Sequence, residues 1–449
     1  MAATIASAPG GGDISTNPVR ELIRRFLITF LLGVVVYRLG ILVPIPGVDV
    51  QALQDRITVT DSPLGALIAY ANMFNGGAIA SASVFGLGIM PYISASIIMQ
   101  LLTFSVPALK ALQKEGEGGR RKINQYTRYA TLVICLAQSC MAALVLTNDS
   151  GTTGQDLVNA KDETWFVIQS MLVITTGSMV LLWLAEQITK FGIGNGVSVI
   201  IMIGILASIP SAFFGGDQDL AQFLWIAAVC LVIIGCIVVV VQATRRINLE
   251  SQRRIQGNRL YGGQTTSLPL KLNHANVVPV IFASPVMVLV GLFFGNMLGL
   301  HLFDYGAPGY RYLFAGLIIA FTYFYISITF DLNELSNHFK QAGFFVRGIK
   351  PGKKTVDFLS YHLTRITFVG AIFLAAIAIL PELLGTQLGL SGNAASALMG
   401  GTGLLIVVGV ALDIMQKVGS FFLAHQFGQQ MGGDGGLGGA AAKKPGKRF

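Results

Sequence analysis

Ten stretches of about 20 mostly apolar residues constrain the fold of this chain more than any other feature. The hydrocarbon core of a bilayer is about 30 Å thick, which is the length of a helix of about 20 residues. Because lipid offers no partner to a backbone amide, continuous apolar blocks of this length must cross as helices. The predicted spans are residues 26–44, 82–104, 126–147, 165–186, 195–214, 221–243, 275–299, 312–330, 364–384 and 396–416.

The composition supports a chain that is mostly embedded in lipid. Only 12% of its 449 residues are charged and 53% are hydrophobic, whereas a soluble domain carries about 25% charged residues. Such a low share of charged residues indicates that most of the chain does not face water. The predicted fold class is therefore an all-α membrane protein with ten transmembrane helices.

The basic residues are distributed very unevenly between the two sides of the predicted membrane. Of 31 Lys and Arg residues, 25 lie on the side of the termini and three on the opposite side. Basic loops resist translocation, so both termini are predicted to be cytoplasmic. The loops at 244–273 and 331–363 are longer and more basic than topology requires, and they suit docking to an acidic protein or to RNA phosphates. The alternative is that they only set the topology.

The segment 61–80, between the first two spans, is irregular. Its apolar part, 63–74, is too short to cross a bilayer and ends at Gly76 and Gly77. Such a segment is tolerated at membrane depth only where it lines or fills a cavity. The alternative is an interfacial helix on the outer surface.

Two short similarities suggest an internal repeat. Pro91 begins PYISAS in the second span, and Pro279 begins PVIFAS in the seventh. Two halves of five helices each would enter the membrane from opposite sides and form an inverted repeat around a central pore. The predicted units are a disordered tail at 1–20, a first half at 21–220 that includes 61–80, a second half at 221–427 and a flexible basic tail at 428–449.

The sequence shows no signature of an enzyme. It contains no P-loop, no HExxH and no GxSxG. Its cysteines have no metal-ligand spacing and are interpreted as packing residues; they are Cys135, Cys140, Cys230 and Cys236. We therefore predict no catalytic residue, no metal and no cofactor.

Ionisable residues inside the predicted spans are few, with Arg38, Glu186 and Asp413 as the candidates. An ion-coupled carrier normally places carboxylates or histidines in its pathway. Their scarcity favours a passive conduit whose driving energy comes from a partner. A secondary transporter is the main alternative, and an intramembrane enzyme is a weaker one.

Nine short runs occur in an order that resembles the SecY family of protein-translocating channels over roughly residues 20–430. The runs are RLGILVPIPGVD (38–49), MFNGGA (73–78), GLGIMPYISASIIMQLL (86–102), KEGEGGRRKINQYTRY (114–129), GIGNGVSVII (192–201), LPLKLN (268–273), VPVIFAS (278–284), GIKPG (348–352) and GGTGLLIVV (400–408). The resemblance implies a channel that passes unfolded secretory polypeptides across the bacterial cytoplasmic membrane and releases transmembrane segments into lipid.

The resemblance also implies roles for individual positions. A mid-membrane ring of aliphatic side chains would comprise Ile89, Ile93, Val197, Ile201, Ile281 and Ile406. A plug on the outer side of the ring would include Leu64, Leu67, Ile68, Tyr70, Asn72, Met73 and Phe74. A lateral gate between spans two and seven would include Pro91, Ser94, Ser96, Pro279, Phe282 and Pro285. Cytoplasmic docking would use Arg253, Arg254, Arg259, Arg347, Lys350, Lys353 and Lys354.

The implied partners follow from the same resemblance. They are the SecE and SecG subunits, the SecA ATPase, the ribosome with its RNA, the nascent polypeptide and the lipid bilayer, with SecDF and YidC as further candidates. The chain departs from the family at Lys350, where arginine is usual, and at Arg347, where proline is usual. Lysine keeps the charge but loses the bidentate fork of arginine, so Arg347 is a candidate substitute for the usual contact.

Overall fold

The computed structural model describes most of the chain as helices. The described residues are 18–58, 72, 75–148, 163–214, 220–251, 254–256, 259–261, 265–275, 277–292, 308–387 and 401–434. The α-helices are α1 (Pro18–Phe30), α2 (Tyr37–Ile41), α3 (Val50–Thr58), α4 (Met90–Ser105), α5 (Pro107–Lys114), α6 (Glu117–Asn148), α7 (Glu163–Phe191), α8 (Gly196–Phe214), α9 (Leu220–Gln242), α10 (Val278–Leu292), α11 (Pro308–Thr329), α12 (Leu332–Ala342), α13 (Lys353–Gln387) and α14 (Gly401–Asp434). A π-helical turn, Leu31–Val36, joins α1 to α2.

Helices occupy each of the ten predicted spans. Among the described residues, five stretches are long and apolar enough to cross a bilayer by themselves: Glu117–Leu144, Glu163–Phe191, Gly309–Ala342, Lys353–Leu380 and Gly403–Leu423. The described parts of α8 and α9 also contain the shorter apolar helices Gly196–Ala207 and Ala227–Gln242. The chain is therefore a multi-pass helical membrane protein.

Helices α4 and α5 meet at an angle of 98°. The bend occurs at Val106, whose backbone is extended with φ −100° and ψ 115°. A residue before proline is pushed out of the helical conformation, so Pro107 ends α4 and starts α5. Helix α5 has no buried residue and carries Lys110 and Lys114. It therefore lies on the surface instead of extending the second span.

The helical bundle contains two large apolar clusters that share α14. The first cluster draws on α2, α7, α8 and the segment around Phe85, and it includes Ile406 and Val410 from α14. The second draws on α9, α10, α11 and α13, and it includes Leu405 and Leu412 from the other face of α14. Helix α14 is thus packed on both sides and holds the two clusters together.

A small β-sheet lies in the predicted cytoplasmic region, and the sequence analysis did not predict it. Its strands are β1 (Thr244–Ser251), β4 (Thr265–Lys271) and β5 (Phe344–Val346), in the order β4-β1-β5. Strand β1 pairs antiparallel with both neighbours. A separate hairpin pairs β2 (Arg254–Gln256) with β3 (Arg259–Tyr261). The sheet thereby joins the two basic loops, 244–273 and 331–363, into one unit.

The alternation of side chains in β1 explains why this sheet forms. Ile247 and Leu249 are buried, whereas Arg246 before them and Asn248 between them are exposed. Successive side chains of a strand point to opposite faces, so the two apolar residues share one face. That face packs on Leu359 and Ile366 of α13. The sheet is therefore fixed to the membrane bundle through α13.

Candidate functional site

The six residues of the predicted ring lie in a single apolar cluster. Ile89, Ile201 and Ile406 are buried, with exposed fractions of 5%, 7% and 1%. The other three are partly buried and pack against the same cluster; they are Ile93, Val197 and Ile281. The six come from α4 and the residue before it, and from α8, α10 and α14. We call this group the apolar neck.

The backbone that leads into α4 fixes Ile89. Gly88 has a positive φ of 58°. Two residues earlier, the carbonyl of Gly86 accepts a 2.8 Å hydrogen bond from the side-chain amide of Asn75. A Cβ atom on residue 88 would overlap the Asn75 side chain. Only glycine therefore suits this position, because it allows both the left-handed backbone and the close amide.

A tight turn places Val197 at the start of α8. Gly194 has φ 92°, and the amide of Gly196 donates a 2.8 Å hydrogen bond to the hydroxyl of Thr189. A Cβ atom on residue 196 would overlap the carbonyl oxygen of Ala185. The missing side chain allows α8 to begin directly against α7, which sets the position of Val197 and Ile201.

Gly409 of α14 lies close to the residue that precedes α10. A Cβ atom on Gly409 would lie 3.2 Å from the Cγ2 atom of Val277. Val277, just before α10, accepts hydrogen bonds from the backbone N–H groups of Val280 and Ile281, both 3.2 Å long. This close packing brings Ile281 to the same cluster as Ile406.

Most of the predicted plug lies outside the described residues, namely Leu64, Leu67, Ile68, Tyr70, Met73 and Phe74. Asn72 is described, and its side-chain oxygen accepts hydrogen bonds from the backbone N–H groups of Ile79 and Ala80, at 3.1 and 3.0 Å. Its own carbonyl accepts from Gly77 at 3.0 Å. Asn72 thus caps the turn that follows the predicted plug.

That turn is attached to the first span by Tyr37. The hydroxyl of Tyr37 donates a hydrogen bond of 3.0 Å to the carbonyl of Asn75, and its ring stacks on Phe85 with centroids 6.1 Å apart. Sequence analysis did not predict this anchor. The run NGG at 75–77 is the only signal that pointed to a tight turn here.

The residues of the predicted lateral gate lie on helices with different packing partners. Helix α4 packs mainly on α6, and α10 packs mainly on α11. Pro91 and Pro279 are buried, Ser96 is half-buried, and the hydroxyl of Ser94 donates to the carbonyl of Met90 at 3.2 Å.

The aromatic ring of Phe282 in α10 packs on α11. It makes edge-to-face contacts with Phe321 and Tyr325 of α11, at centroid distances of 6.3 and 6.5 Å. Pro285 lies within α10. Each helix of the predicted gate therefore packs mainly on a helix other than its gate partner.

An ion pair joins α6 to α7. The guanidinium of Arg128 donates two hydrogen bonds, both of 2.6 Å, to the two carboxylate oxygens of Glu186. Both charged groups lie near enough to the Tyr92 side chain of α4 to interact with it electrostatically.

A second ion pair lies within α14. The carboxylate of Asp413, whose role the sequence left open, is 3.0 Å from the ammonium group of Lys417 one turn along the helix. Neither pair belongs to the apolar neck.

The docking residues of the second loop surround a turn between β5 and α13. Arg347, Lys350, Lys353 and Lys354 are all exposed. Gly348 and Gly352 have φ of 80° and 110°, as tight turns require.

Other contacts fix this turn and the hairpin beside it. The hydroxyl of Thr355 donates to the carbonyl of Lys350 at 3.0 Å. Arg347 lies 3.7 Å from Glu250 of β1. Arg254 and Arg259 lie in the β2–β3 hairpin, and Arg253 is outside the described residues.

His274 lies where the sheet leads into α10. Its ring contacts Phe330 edge-to-face at 4.8 Å. Burial, and then the nearby charge of Lys271, lower the pKa of His274 below its usual value, against a hydrogen bond to the Lys271 backbone that raises it. The imidazole is therefore held in its neutral form at neutral pH.

The described residues offer no cluster of three or more His, Cys, Asp or Glu side chains that could hold a metal ion. The four cysteines are free thiols, with Cys135 buried and Cys236 exposed. The chemistry of the neck is therefore that of aliphatic side chains alone.

A bundle of membrane-length helices that converges on an uncharged aliphatic neck defines a helical membrane protein of the channel type. The SecY family model matches residues 83–415. The chain is 42% identical over 412 residues to the protein translocase subunit SecY of Streptomyces scabiei, covering 87% of this chain and 93% of that protein. It is 40% identical over 426 residues to the Escherichia coli K12 subunit, covering 91% and 93%.

Solved structures show the same fold at low sequence identity. A protein-conducting channel has a TM-score of 0.61 at 17% identity and covers 90% of this chain and 93% of its own. Sec61 in a canine ribosome–channel complex has a TM-score of 0.58 at 16% identity, with the same coverage. The chain belongs to the SecY family.

Proposed function

We propose that this chain is a protein-conducting channel that passes unfolded secretory polypeptides across the bacterial cytoplasmic membrane and releases transmembrane segments laterally into lipid. The observation that carries the proposal is the apolar neck: six aliphatic side chains from four separate parts of the chain lie in one cluster. The chain is a channel and not an enzyme.

An aliphatic neck suits a substrate of arbitrary sequence. Specific hydrogen bonds would favour some side chains over others, whereas an apolar constriction excludes water when empty and deforms around any segment. Val197 is smaller than the five isoleucines, so the constriction is slightly wider on its side. The neck would therefore limit ion flow without selecting among polypeptides.

The predicted plug and lateral gate complete the proposed mechanism. The segment that contains the plug returns to the bundle at Asn72 and Asn75, whose hydrogen bonds hold its end beside the first span. The two helices of the predicted gate, α4 and α10, each pack mainly on a different helix, α6 and α11 respectively. Separation of these two helices would open a path to lipid while their supporting helices stay in place.

The driving energy would come from a partner on the cytoplasmic side. The sheet β4-β1-β5 and the turn after it present the exposed cations Arg347, Lys350, Lys353 and Lys354 on a rigid support. Similar channels have been solved with ribosomes, the canine Sec61 and the yeast Ssh1 complexes. We propose that this surface docks the SecA ATPase or the ribosome and its RNA, and that the SecE and SecG subunits complete the channel.

The same orientation follows from the distribution of charge. With 25 of 31 basic residues on one side, the positive-inside rule favours both termini and the sheet in the cytoplasm. The channel would lie in the cytoplasmic membrane, with the plug segment on the outer side.

Site-specific crosslinking to an arrested secretory chain tests the proposal. A photocrosslinker at Ile93 or Ile281 is expected to capture the chain, whereas one at Ile98, which is exposed on α4, is expected to capture lipid. Failure at both neck positions, in a sample where the client is shown to be engaged, would contradict the proposal. Uptake of a small solute by purified protein in liposomes, without a motor, would favour the transporter alternative.

A further inference from the structure

One row of residues on the first span faces the rest of the helical bundle. Thr29 is half-buried, and Gly33, Tyr37 and Ile41 are buried. These four residues follow one another at intervals of four. In a regular α-helix each interval of four turns a residue about 40° past the one before it, so three intervals would turn the row by about 120°.

The π-helical turn Leu31–Val36 reduces this rotation. A π turn forms hydrogen bonds between residues five apart and holds more residues than an α-helical turn, so residues four apart lie closer to one line. Gly33, inside the turn, lies against α8, and a Cβ atom there would be 2.5 Å from the Cδ1 atom of Ile203. The turn thereby allows Thr29 and Tyr37 to contact the same side of the bundle.

The hydroxyl of Thr29 joins the first span to the segment between α7 and α8. It donates a 2.9 Å hydrogen bond to the carbonyl of Arg25 in its own helix. It also accepts a 3.0 Å hydrogen bond from the backbone N–H of Ile193, which is 164 positions away in sequence. Gly192 makes room for this contact, because a Cβ atom there would overlap the Thr29 hydroxyl oxygen.

The segment 192–196 is held in the same way at its other end. The hydroxyl of Thr189 donates within α7 at 2.8 Å and accepts a 2.8 Å hydrogen bond from the N–H of Gly196. Two threonine hydroxyls from two different helices therefore fix a connection of five residues. Val197 of the neck follows this connection directly, and Ile201 lies about one turn further along α8.

We propose that Thr29 is a positioning residue for the apolar neck: through the backbone of Ile193 it fixes the start of α8, and with it Val197 and Ile201. This role rests on the proposed channel function. Without the hydroxyl, the N–H of Ile193 loses its acceptor and the connection is held at one end only. Val197 has the smallest side chain of the neck, so a shift of α8 would admit water there first.

The ion conductance of the idle complex in planar bilayers tests this role. Thr29→Val keeps the shape of the side chain and removes both hydrogen bonds. We expect the idle leak to rise roughly fivefold, which is the change in an equilibrium that one lost hydrogen bond produces. Thr29→Ser keeps the hydroxyl and is expected to restore the seal.

The matched control is Thr322→Val in α11. It removes a 2.6 Å hydrogen bond from a buried hydroxyl to the carbonyl of Ile318, but α11 belongs to the second apolar cluster. We expect the two valine variants to lower the thermal unfolding temperature by similar amounts, and only Thr29→Val to increase the leak.

Two conductance results would overturn the proposal. Equal leaks in the two valine variants would show that Thr29 has no special relation to the neck, and a leak in Thr29→Ser as large as in Thr29→Val would show that the hydroxyl is not what holds the connection. A photocrosslinker at Ile93 separates this role from the channel function. Capture of an arrested client together with an unchanged leak in Thr29→Val would overturn the positioning role alone, whereas no capture in the unaltered protein would overturn both.

Discussion

The hydroxyl of Tyr37 donates a hydrogen bond of 3.0 Å to the carbonyl oxygen of Asn75. Tyr37 is only 2% exposed, and Asn75 is the first residue of the turn that leads away from the predicted plug. One buried hydroxyl thus connects the first span with the turn that follows the predicted plug. Tyr37 is not one of the neck residues, although it belongs to the same cluster.

Replacement of Tyr37 by Phe removes this donor and keeps the ring that stacks on Phe85. The Asn75 carbonyl still accepts from Ala78 at 3.2 Å, so we expect a modest loss of about 1 kcal/mol in the free energy of unfolding. We also expect a higher resting ion leak in planar bilayers, because the end of the plug segment is held less firmly. Tyr312→Phe, at a position that is 80% exposed, is the control, and a leak equal to the control would argue against the anchor.

Ile406→Asn places an amide in the apolar neck. We expect a higher ion conductance of the idle channel and greater tolerance of clients with defective signal sequences, since a polar group favours water in the constriction. Leu405→Asn is the control, because Leu405 is also buried (3% exposed, against 1% for Ile406) but belongs to the second cluster. Both variants should lose stability. If they leak equally, the neck has no special role in the seal.

Gly196→Ala tests the close contact between α7 and α8. The added Cβ would overlap the Ala185 carbonyl, so α8 must shift, and we expect a loss of about 1–3 kcal/mol in the free energy of unfolding. Gly235→Ala in α9 is the control, because a Cβ there meets no atom within 4 Å; it should not destabilise the protein, since alanine favours a helix more than glycine does. Thermal unfolding in detergent measures both, and an unchanged transition temperature for Gly196→Ala would contradict the predicted contact.

The ion pair between Arg128 and Glu186 is suited to a double-mutant cycle. Arg128→Gln and Glu186→Gln should each lower the unfolding temperature, and the double variant should lose less than their sum. The side chains are 52% and 35% exposed, so solvent screening limits the expected coupling to about 0.5–1 kcal/mol, despite the two-bond geometry. Additive losses would indicate that the two charges act independently.

The membrane part of the fold could be predicted because lipid imposes a simple rule. A chain segment that crosses the bilayer must be apolar and helical, so the ten blocks identify helices without any knowledge of their contacts. The residue type alone does not show whether Ile281 or Ile406 is a neck residue or an ordinary packing residue, because isoleucine is common in both roles. Their common location was expected only because the sequence resembles a family of channels.

The cytoplasmic sheet could not be predicted in the same way. Strand β5 has only three residues, and its partner β1 lies far away in sequence, with Leu249 opposite Val346. Water satisfies the backbone of a basic loop equally well, so no local rule requires strands there. The hydrogen bond between Tyr37 and Asn75 is missed for the same reason, because the sequence gives no direct sign of a contact between distant positions.

The order of strands in the sheet has a consequence for biosynthesis. Strands β1 and β4 emerge from the ribosome before α10 and α11, but β5 emerges only after them. Two strands alone are marginally stable, so the third strand completes the sheet once the eighth span has been made. We expect a nascent chain that ends before Phe344 to lack the finished surface. A newly made copy would thus lack the proposed docking surface for a partner until most of its own membrane helices exist.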